Sequence, residues 1–249
     1  MTSAGPPPSA VLEAFETDGE PVLLPGGTGR TWRAGALVLK PLDRAPAEIA
    51  WQAEVLGRVE EDGFRVTRPV PRIIDGWTAW HYVDGRHEPG RWLDIIAVGA
   101  RFHAALAAVE RPAAILEAGV EPWATGDRVA WDDEPFDGLD DILAALRPVS
   151  APSSLIHGDL TGNVLFHDEL PPAIIDFTPY WRPLEFASAI VVADALVWEG
   201  APPALADAVD PQYLLRALIY RGVTSIVAGT EWRTTIDLAR RIAAQCASR

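Results

Sequence analysis

The sequence predicts an α+β fold in which a small antiparallel sheet is followed by a mostly helical C-terminal part. The first observation is a series of short apolar runs between residues 22 and 83, separated by glycine-containing turns, as is typical of strands. The second is the helical spacing of apolar residues in 92–109 and in three later segments, 184–198, 211–228 and 233–246. The chain has 249 residues and is 49% hydrophobic, so it can bury a large core as one domain or as two lobes.

The N-terminal part is predicted to contain a tail and a lobe of strands. Residues 1–18 begin with a Pro-, Ser- and Ala-rich segment and are predicted to be a partly disordered tail, with a short helix starting at Val11. Residues 19–83 form the predicted N-terminal lobe and residues 84–249 the C-terminal lobe. Within the first lobe we expect a hairpin of strands 70–74 and 78–83, which residues 75–77 join.

A glycine-rich turn lies between the first two predicted strands. Gly27, Thr28 and Gly29 would let backbone amides approach phosphate groups closely, although an ordinary hairpin needs the same residue types. Residues 46–59 then show helical spacing. In the C-terminal part, residues 121–141 predict an irregular acidic segment, and residues 177–183 a loop.

Composition limits the possible partners. The net charge of −14 argues against non-specific binding to nucleic acid, which requires a basic surface. No uncharged apolar run approaches the length of about 20 residues that crosses a membrane. With a single cysteine, Cys246, and no signal-like N-terminus, a cytoplasmic protein is expected. The sequence does not define an oligomeric state.

Lysine usage singles out one position. The chain has 20 arginines and one lysine, Lys40, which ends an apolar run that predicts a strand. A compact ammonium group binds phosphate differently from a planar guanidinium. The alternative to a functional role is that Lys40 is the one remaining lysine by chance.

The strongest motif lies at 157–177. It reads His-Gly-Asp-Leu-Thr-Gly-Asn, then an apolar run, a turn, and Ile-Ile-Asp-Phe. Asp159, Asn163 and Asp176 thus lie within 18 residues, each beside an apolar run that can hold it in place. Carboxylate and amide oxygens suit Mg²⁺ and proton handling in phosphoryl transfer.

This stretch resembles the catalytic loop and metal-binding strand of the aminoglycoside phosphotransferase family, which is similar to the protein kinases. The resemblance implies a two-lobed, protein-kinase-like fold and ATP- or GTP-dependent transfer of the γ-phosphoryl group to a hydroxyl of a small molecule. It implies Asp159 as the base, and Asn163 and Asp176 as ligands of Mg²⁺. The spacing from Asp159 to Asn163 is four positions here and five in the family pattern, so the loop is one residue shorter.

The resemblance also suggests nucleotide contacts. Lys40 would hold the phosphates, and a helix glutamate would pair with it; Glu54 is the first candidate and Glu48 the second. Tyr82 and Val83 would line the adenine pocket. His157 would support the catalytic loop, and His103 would be a packed structural histidine.

The sequence does not identify the acceptor molecule. Clustered carboxylates and indoles suit an amino sugar or another cationic metabolite, although a solvated acidic loop explains the same residues. Candidate acceptor contacts are Asp132, Asp133, Glu134 and Trp181. Two other functions compete with the kinase: a degenerate member that binds nucleotide or a small ligand without turnover, and a metal-dependent phosphohydrolase.

Overall fold

The computed structural model describes residues 5–25, 29–117, 122–131 and 133–247. The chain divides into two compact units. Unit 1 comprises Met1–Arg86 and Leu165–Asp176, and unit 2 comprises His87–Val164 and Phe177–Arg249. The predicted boundary between residues 83 and 84 therefore needs two corrections, because residues 84–86 and the segment that ends at Asp176 both belong to unit 1.

The main sheet of unit 1 is antiparallel. Its strands are β1 (Val22–Leu23), β2 (Trp32–Ala34), β3 (Leu37–Pro41) and β5 (Trp77–His81), in that order, while β4 (Arg65–Val66) belongs to another sheet. In β3, Leu37 and Leu39 are buried and the residues between and after them are only partly buried. Because side chains alternate along a strand, Lys40 projects from the face opposite to these two leucines.

The N-terminal segment is part of this core. Helix α1 (Ser9–Ala14) carries Val11, and Phe15 follows it; their exposed fractions are 1% and 3%. Both pack in one apolar cluster with Leu37 and Leu39. The short helix that was predicted from Val11 is present and begins two residues earlier, at Ser9, so this part of the predicted tail is ordered and packed in the core.

The predicted hairpin forms only in part. The second strand is β5, but residues 69–74 pair with it only through isolated bridges, of Pro69 with Trp80 and of Ile74 with Trp77, and a backbone bond of 2.8 Å from Val70 to Ala79. The neighbouring prolines explain this difference: Pro69 and Pro71 have no backbone N–H to donate to a sheet.

A second, three-stranded sheet explains the assignment of residues 165–176 to unit 1. Its strands are ordered β4, β8 (Ala173–Ile174) and β7 (Val164–Leu165), and β4 and β8 are parallel. Arg86 and Phe166 exchange two backbone hydrogen bonds of 2.9 and 2.8 Å. The Arg65 guanidinium donates to the carbonyl of Asp84 at 2.7 Å. These contacts hold residues 84–86 on unit 1, which also contains β8.

Unit 2 is mostly helical, as predicted. Its described helices are α3 (Trp92–Ala105), α4 (Ala113–Leu116), α5 (Trp123–Ala130), α6 (Asp140–Leu143), α7 (Leu184–Trp198), α8 (Pro211–Ala228) and α9 (Arg233–Ala247), with a 3₁₀ helix at Pro203–Ala208. The remaining helix, α2 (Pro46–Gly57), lies in unit 1 with α1. The core is built around α8, which packs against α5, α7 and α9. The presence of α5 corrects the prediction that residues 121–141 are irregular.

Local sequence signals set the ends of α8. The Asp210 carboxylate accepts a hydrogen bond of 2.7 Å from the backbone of Gln212, and Pro211 occupies the first turn, where its missing N–H costs nothing. Gly229 ends the helix in the left-handed conformation, with φ of 68°. The sequence contains both signals, so the bounds of this helix agree with the prediction.

A short antiparallel pair lies in unit 2 at the start of the 157–177 motif. Strand β6 (Ser154–His157) pairs with β9 (Pro179–Arg182), and His157 lies opposite Pro179. Residues 179–182 are therefore a strand, which corrects the predicted loop. Among the described residues, no helix is long and apolar enough to cross a bilayer.

Candidate active site

In unit 1, Lys40 lies beside Asp176. The Lys40 ammonium is 2.9 Å from Oδ1 of Asp176 and 3.7 Å from a carboxylate oxygen of Asp43. It also lies 4.7 Å from the ring centre of Trp80, whose face attracts a cation. Trp80 is buried in the sheet, so the ring that contacts the ammonium is held in place by packing.

Asp176 follows β8 in a strained conformation. Its φ is 49°, in the left-handed region that few residues other than glycine adopt. Its side chain is 45% exposed. The short turn after the buried strand thus leaves the carboxylate accessible to solvent.

Arg44 also reaches Asp176, a contact that the sequence alone does not predict. Its guanidinium donates to Oδ1 of Asp176 at 3.0 Å and to Glu48 at 2.7 Å. Burial alone would lower the pKa of Arg44, but the charges of Asp176 and Glu48 raise it above its ordinary value. Two cations, Lys40 and Arg44, therefore contact the same carboxylate oxygen.

The predicted partner of Lys40 needs correction. Glu54 lies on the exposed side of α2 and pairs with Arg58 at 2.9 Å, with its side chain 60% exposed. Glu48, the second candidate, bonds to Arg44 and to Gln52. The structure thus pairs neither glutamate with Lys40; Glu48 reaches the site through Arg44.

Unit 1 also contains the other residues that were predicted to contact the nucleotide. Tyr82 donates its hydroxyl to Asp84 at 3.2 Å, and the guanidinium of Arg33 lies 3.6 Å from its ring centre. Val83 follows in the chain and is partly buried. Gly29 has a φ of 68°, whereas Gly27 and Thr28 lie outside the described residues.

In unit 2, hydrogen bonds to histidine hold the start of the catalytic loop. His157 accepts a bond of 3.1 Å from the backbone of Asp159 at Nδ1, and its own backbone N–H donates to Nε2 of His103 at 3.0 Å. Both imidazoles are buried. Burial and the neighbouring His157 lower the pKa of His103 to about 3. Both histidines thus have the structural roles that the sequence analysis expected.

The first glycine of the motif, Gly158, is required by packing. A Cβ on Gly158 would collide with the ring of Tyr180, which lies on the partner strand of the short sheet. Tyr180 in turn shares a hydrogen bond of 3.1 Å with the hydroxyl of Tyr220 on α8. The loop therefore runs in close contact with a fixed aromatic pair.

The shortened loop still brings Asn163 to Asp159. Gly162 adopts a φ of 78°, and the backbone of Asn163 donates to the carbonyl of Leu160 at 2.9 Å, which closes a tight turn. The Asn163 amide nitrogen donates to the Asp159 carbonyl at 2.7 Å and to its carboxylate oxygen Oδ2 at 3.2 Å. With this assignment, the amide oxygen of Asn163 forms no hydrogen bond within the described part of the chain. An oxygen without a protein donor fits the role of a Mg²⁺ ligand.

A buried arginine holds the other side of Asp159. The Arg221 guanidinium on α8 donates to Oδ1 of Asp159 at 2.6 Å. It also makes two bonds, of 2.8 and 2.7 Å, to the buried carboxylate of Asp194 on α7. Burial alone would lower the pKa of Arg221, but Asp194 and then Asp159 raise it well above its ordinary value, so the side chain stays charged.

The sequence contained only weak signals for these additional residues. Asp194 interrupts the most apolar stretch of the chain, 187–197, and Arg221 lies in the apolar run of α8. A charge at such a position must be paired when the segment is buried. The signal shows that partners exist but does not identify them.

The predicted acceptor residues lie among arginines. Asp133 pairs with Arg182 at 3.2 Å, and Glu134 pairs with Arg128 at 2.6 Å. Trp181 on β9 is partly buried. Asp132 lies outside the described residues. A cationic ligand would therefore have to compete with an arginine for either described carboxylate.

Similar structures are known across nearly the whole chain. A thermostable mutant of aminoglycoside phosphotransferase APH(4)-Ia in its apo form has a TM-score of 0.62 and 13% identity, and the match covers 96% of this chain and 97% of the other. Spectinomycin phosphotransferase APH(9)-Ia, in complex with ADP and spectinomycin, has a TM-score of 0.57 and 13% identity, with 96% and 98% covered. A choline/ethanolamine kinase family protein from Mesorhizobium loti has a TM-score of 0.53 and 14% identity, with 93% and 89% covered. These likenesses establish a protein-kinase-like fold.

Sequence comparison gives the family. No curated protein shows a significant match to this sequence. The model of the phosphotransferase enzyme family (APH) matches residues 26–180, which include Lys40 and the whole catalytic motif. Because this match spans more than half of the chain, the protein belongs to the APH phosphotransferase family.

Proposed function

We propose that this protein is a small-molecule kinase that transfers the γ-phosphoryl group of ATP to a hydroxyl of its acceptor. Asp159 would orient the acceptor hydroxyl and accept its proton, and Lys40 would neutralise the phosphates. The observation that carries the proposal is the tight loop of unit 2, in which the Asn163 amide nitrogen bonds to Asp159 and its oxygen remains available.

Two side chains, one in each unit, carry oxygen donors that suit Mg²⁺. We propose that the Asn163 amide oxygen and the Asp176 carboxylate hold it, since both are oxygen donors of the kind that this ion prefers. When bound, it would neutralise charge on the nucleotide phosphates. Lys40 and Arg44, which both donate to Oδ1 of Asp176, would orient its carboxylate for this role.

ATP is the proposed co-substrate. The APH(9)-Ia complex contains ADP, and another similar structure, of APH(2'')-IIa, is a ternary complex with streptomycin and ATP. We propose Tyr82, Val83, Gly27, Thr28 and Gly29 as further nucleotide contacts, on the family resemblance. GTP remains the comparison ligand for the binding test.

The acceptor is proposed to be a small hydroxylated molecule that need not be cationic. A positive charge on the acceptor would have to displace Arg182 from Asp133 or Arg128 from Glu134. Trp181 keeps a proposed stacking role, because its indole is only partly buried.

Nucleotide binding provides the direct test. Calorimetry with ATP and with GTP, each with and without Mg²⁺, would be carried out on the wild type and on Asp176→Ala. Asp75→Ala is the matched control, because Asp75 also lies in unit 1 and has a φ of 48° against 49° for Asp176. We expect Mg²⁺-dependent ATP binding that Asp176→Ala loses and Asp75→Ala retains. Failure of the wild type to bind either nucleotide would refute the proposal.

A second candidate function is nucleotide binding without turnover. It is favoured by the ion pair between Arg221 and Asp159, which occupies one oxygen of the proposed base. Binding of ATP without any hydrolysis or transfer, and with no effect of Asp159→Asn, would support this function over the kinase.

A further inference from the structure

We propose that Arg221 is a positioning residue that holds the carboxylate of Asp159 in its reactive orientation, and that Asp194 fixes Arg221. This inference rests on the proposed kinase function and identifies two residues that serve it. The three side chains form a chain of charges that connects α7, α8 and the catalytic loop, all within unit 2.

The carboxylate of Asp159 is held from two sides. Oδ1 accepts from Arg221 at 2.6 Å and Oδ2 from Asn163 at 3.2 Å. These bonds restrict rotation of the carboxylate about the bond that joins it to Cβ. The side chain is nevertheless 38% exposed, so that a hydroxyl can approach it. A general base must be both oriented and accessible, and this arrangement meets both requirements.

Arg221 itself cannot turn away easily. Its side chain is 9% exposed and that of Asp194 is 2% exposed, and the two make a bidentate pair. Its neighbours Tyr220 and Gly222 on α8 are buried as well. If Arg221 instead inhibited the enzyme by occupying Asp159, it would have to release that carboxylate in each turnover. Its guanidinium is fixed by a buried carboxylate and a packed helix, so such a release is not expected. The geometry therefore indicates support for the base.

The variants must separate positioning from folding. Arg221→Lys keeps the charge but cannot reproduce two bonds to Asp194 and a third to Asp159. The double variant Arg221→Met, Asp194→Met removes both buried charges together and leaves no buried ion unpaired. Asp159 also loses its cationic partner, but its side chain is 38% exposed and water can solvate it. Arg216→Met is the control, because Arg216 is a buried arginine of the same helix whose guanidinium donates to the carbonyls of Ala130 and Arg147.

The first readout is hydrolysis of Mg·ATP by water, which requires no knowledge of the acceptor. For Arg221→Lys and for the double variant we expect kcat to fall at least about tenfold, while the KM for ATP changes less than about twofold. Arg216→Met should keep the wild-type kcat. In an Asp159→Asn background the Arg221 substitution should cause no further loss, because it acts through Asp159. An unchanged or higher kcat in folded Arg221→Lys would overturn the proposal.

A second readout does not depend on activity. Proton exchange of the Asn163 side-chain amide, measured by NMR and assigned with Asn163→Gln, reports its bond to Asp159. We expect faster exchange in Arg221→Lys and in the double variant, and wild-type exchange in Arg216→Met. Wild-type exchange in all three would refute the role of Arg221. If the wild type binds no nucleotide but these exchange rates change as expected, the kinase function fails while the support of Asp159 by Arg221 stands.

Discussion

The ammonium of Lys40 lies 2.9 Å from Oδ1 of Asp176, although 136 positions separate the two residues in the sequence. Both belong to unit 1, because β8 pairs with β4 and carries Asp176 with it. The lone lysine of the chain therefore contacts the proposed metal ligand directly. A phosphate that approaches Lys40 would meet a cation already oriented by a carboxylate and by the ring of Trp80.

Replacement of Lys40 should weaken nucleotide binding. Lys40→Met removes the compact charge, and we expect the Kd for Mg·ATP to rise about tenfold or more, equivalent to about 1.4 kcal/mol. Lys40→Arg should restore little of this loss, since a planar guanidinium does not reproduce the ammonium at this position. Calorimetry measures both values. Arg58→Met, an exposed position of the same unit, should bind as the wild type does; an equal loss there would show that the effect is not local.

The two glutamates of α2 should differ sharply in their effect on stability. Glu48→Gln weakens a charged hydrogen bond of 2.7 Å between two side chains that are each 16% exposed, and we expect it to lower the free energy of unfolding by about 1–3 kcal/mol. Glu54→Gln affects only an exposed pair and should cost less than about 0.5 kcal/mol. Urea unfolding of the two variants compares them on one helix. Equal losses would show that the contact between Arg44 and Glu48 is not stabilising.

Alanine at Gly158 should be more damaging than alanine at Gly162. The Cβ added at Gly158 would meet the ring of Tyr180, so the packed aromatic pair would have to shift, at a cost of about 1–3 kcal/mol. At Gly162 the new Cβ enters open space, and the penalty is the positive φ alone, about 1 kcal/mol. Thermal unfolding distinguishes the two. A larger loss for Gly162→Ala would contradict the packing argument.

The local sequence singles out the residues proposed for catalysis and predicted the bounds of α7 and α8. Asp159, Asn163 and Asp176 lie in one stretch of chain, and each is framed by apolar strands that can be recognised. The bounds of α8 follow from Asp210, Pro211 and Gly229, whose roles depend only on adjacent backbone. Features that depend on a few neighbouring residues are therefore accessible from the sequence.

The partners of these residues could not be predicted in the same way. Glu48 and Glu54 are both acidic residues of α2, and a separation of six positions places them about 120° apart around the helix. Which of them faces the site depends on how the helix packs. The same limit applies to Arg221 and Asp194, which lie 62 and 35 positions beyond Asp159 and meet only because α7 and α8 pack together.

Stability should depend on pH through His103. In the folded protein burial and the neighbouring His157 lower the pKa of His103 to about 3, against 6.5 for the ordinary group. Between these values the unfolded chain binds a proton that the folded chain does not, so the free energy of unfolding falls as the pH falls below 6.5. Above pH 6.5 both states are neutral and His103 contributes no pH dependence. From pH 7 to pH 5 we expect this residue to account for a loss of about 2 kcal/mol.

His103→Gln tests this dependence, because glutamine keeps an acceptor for the backbone N–H of His157 but does not titrate. Urea unfolding at pH 7 and pH 5 should show the loss in the wild type and about 2 kcal/mol less of it in the variant. His81→Gln is the control, since His81 is exposed on β5 and its replacement should leave the wild-type dependence unchanged. If His103→Gln instead retains the full loss, another group must bind the proton on unfolding, and the buried neutral imidazole beneath the catalytic loop is not the source of the acid sensitivity.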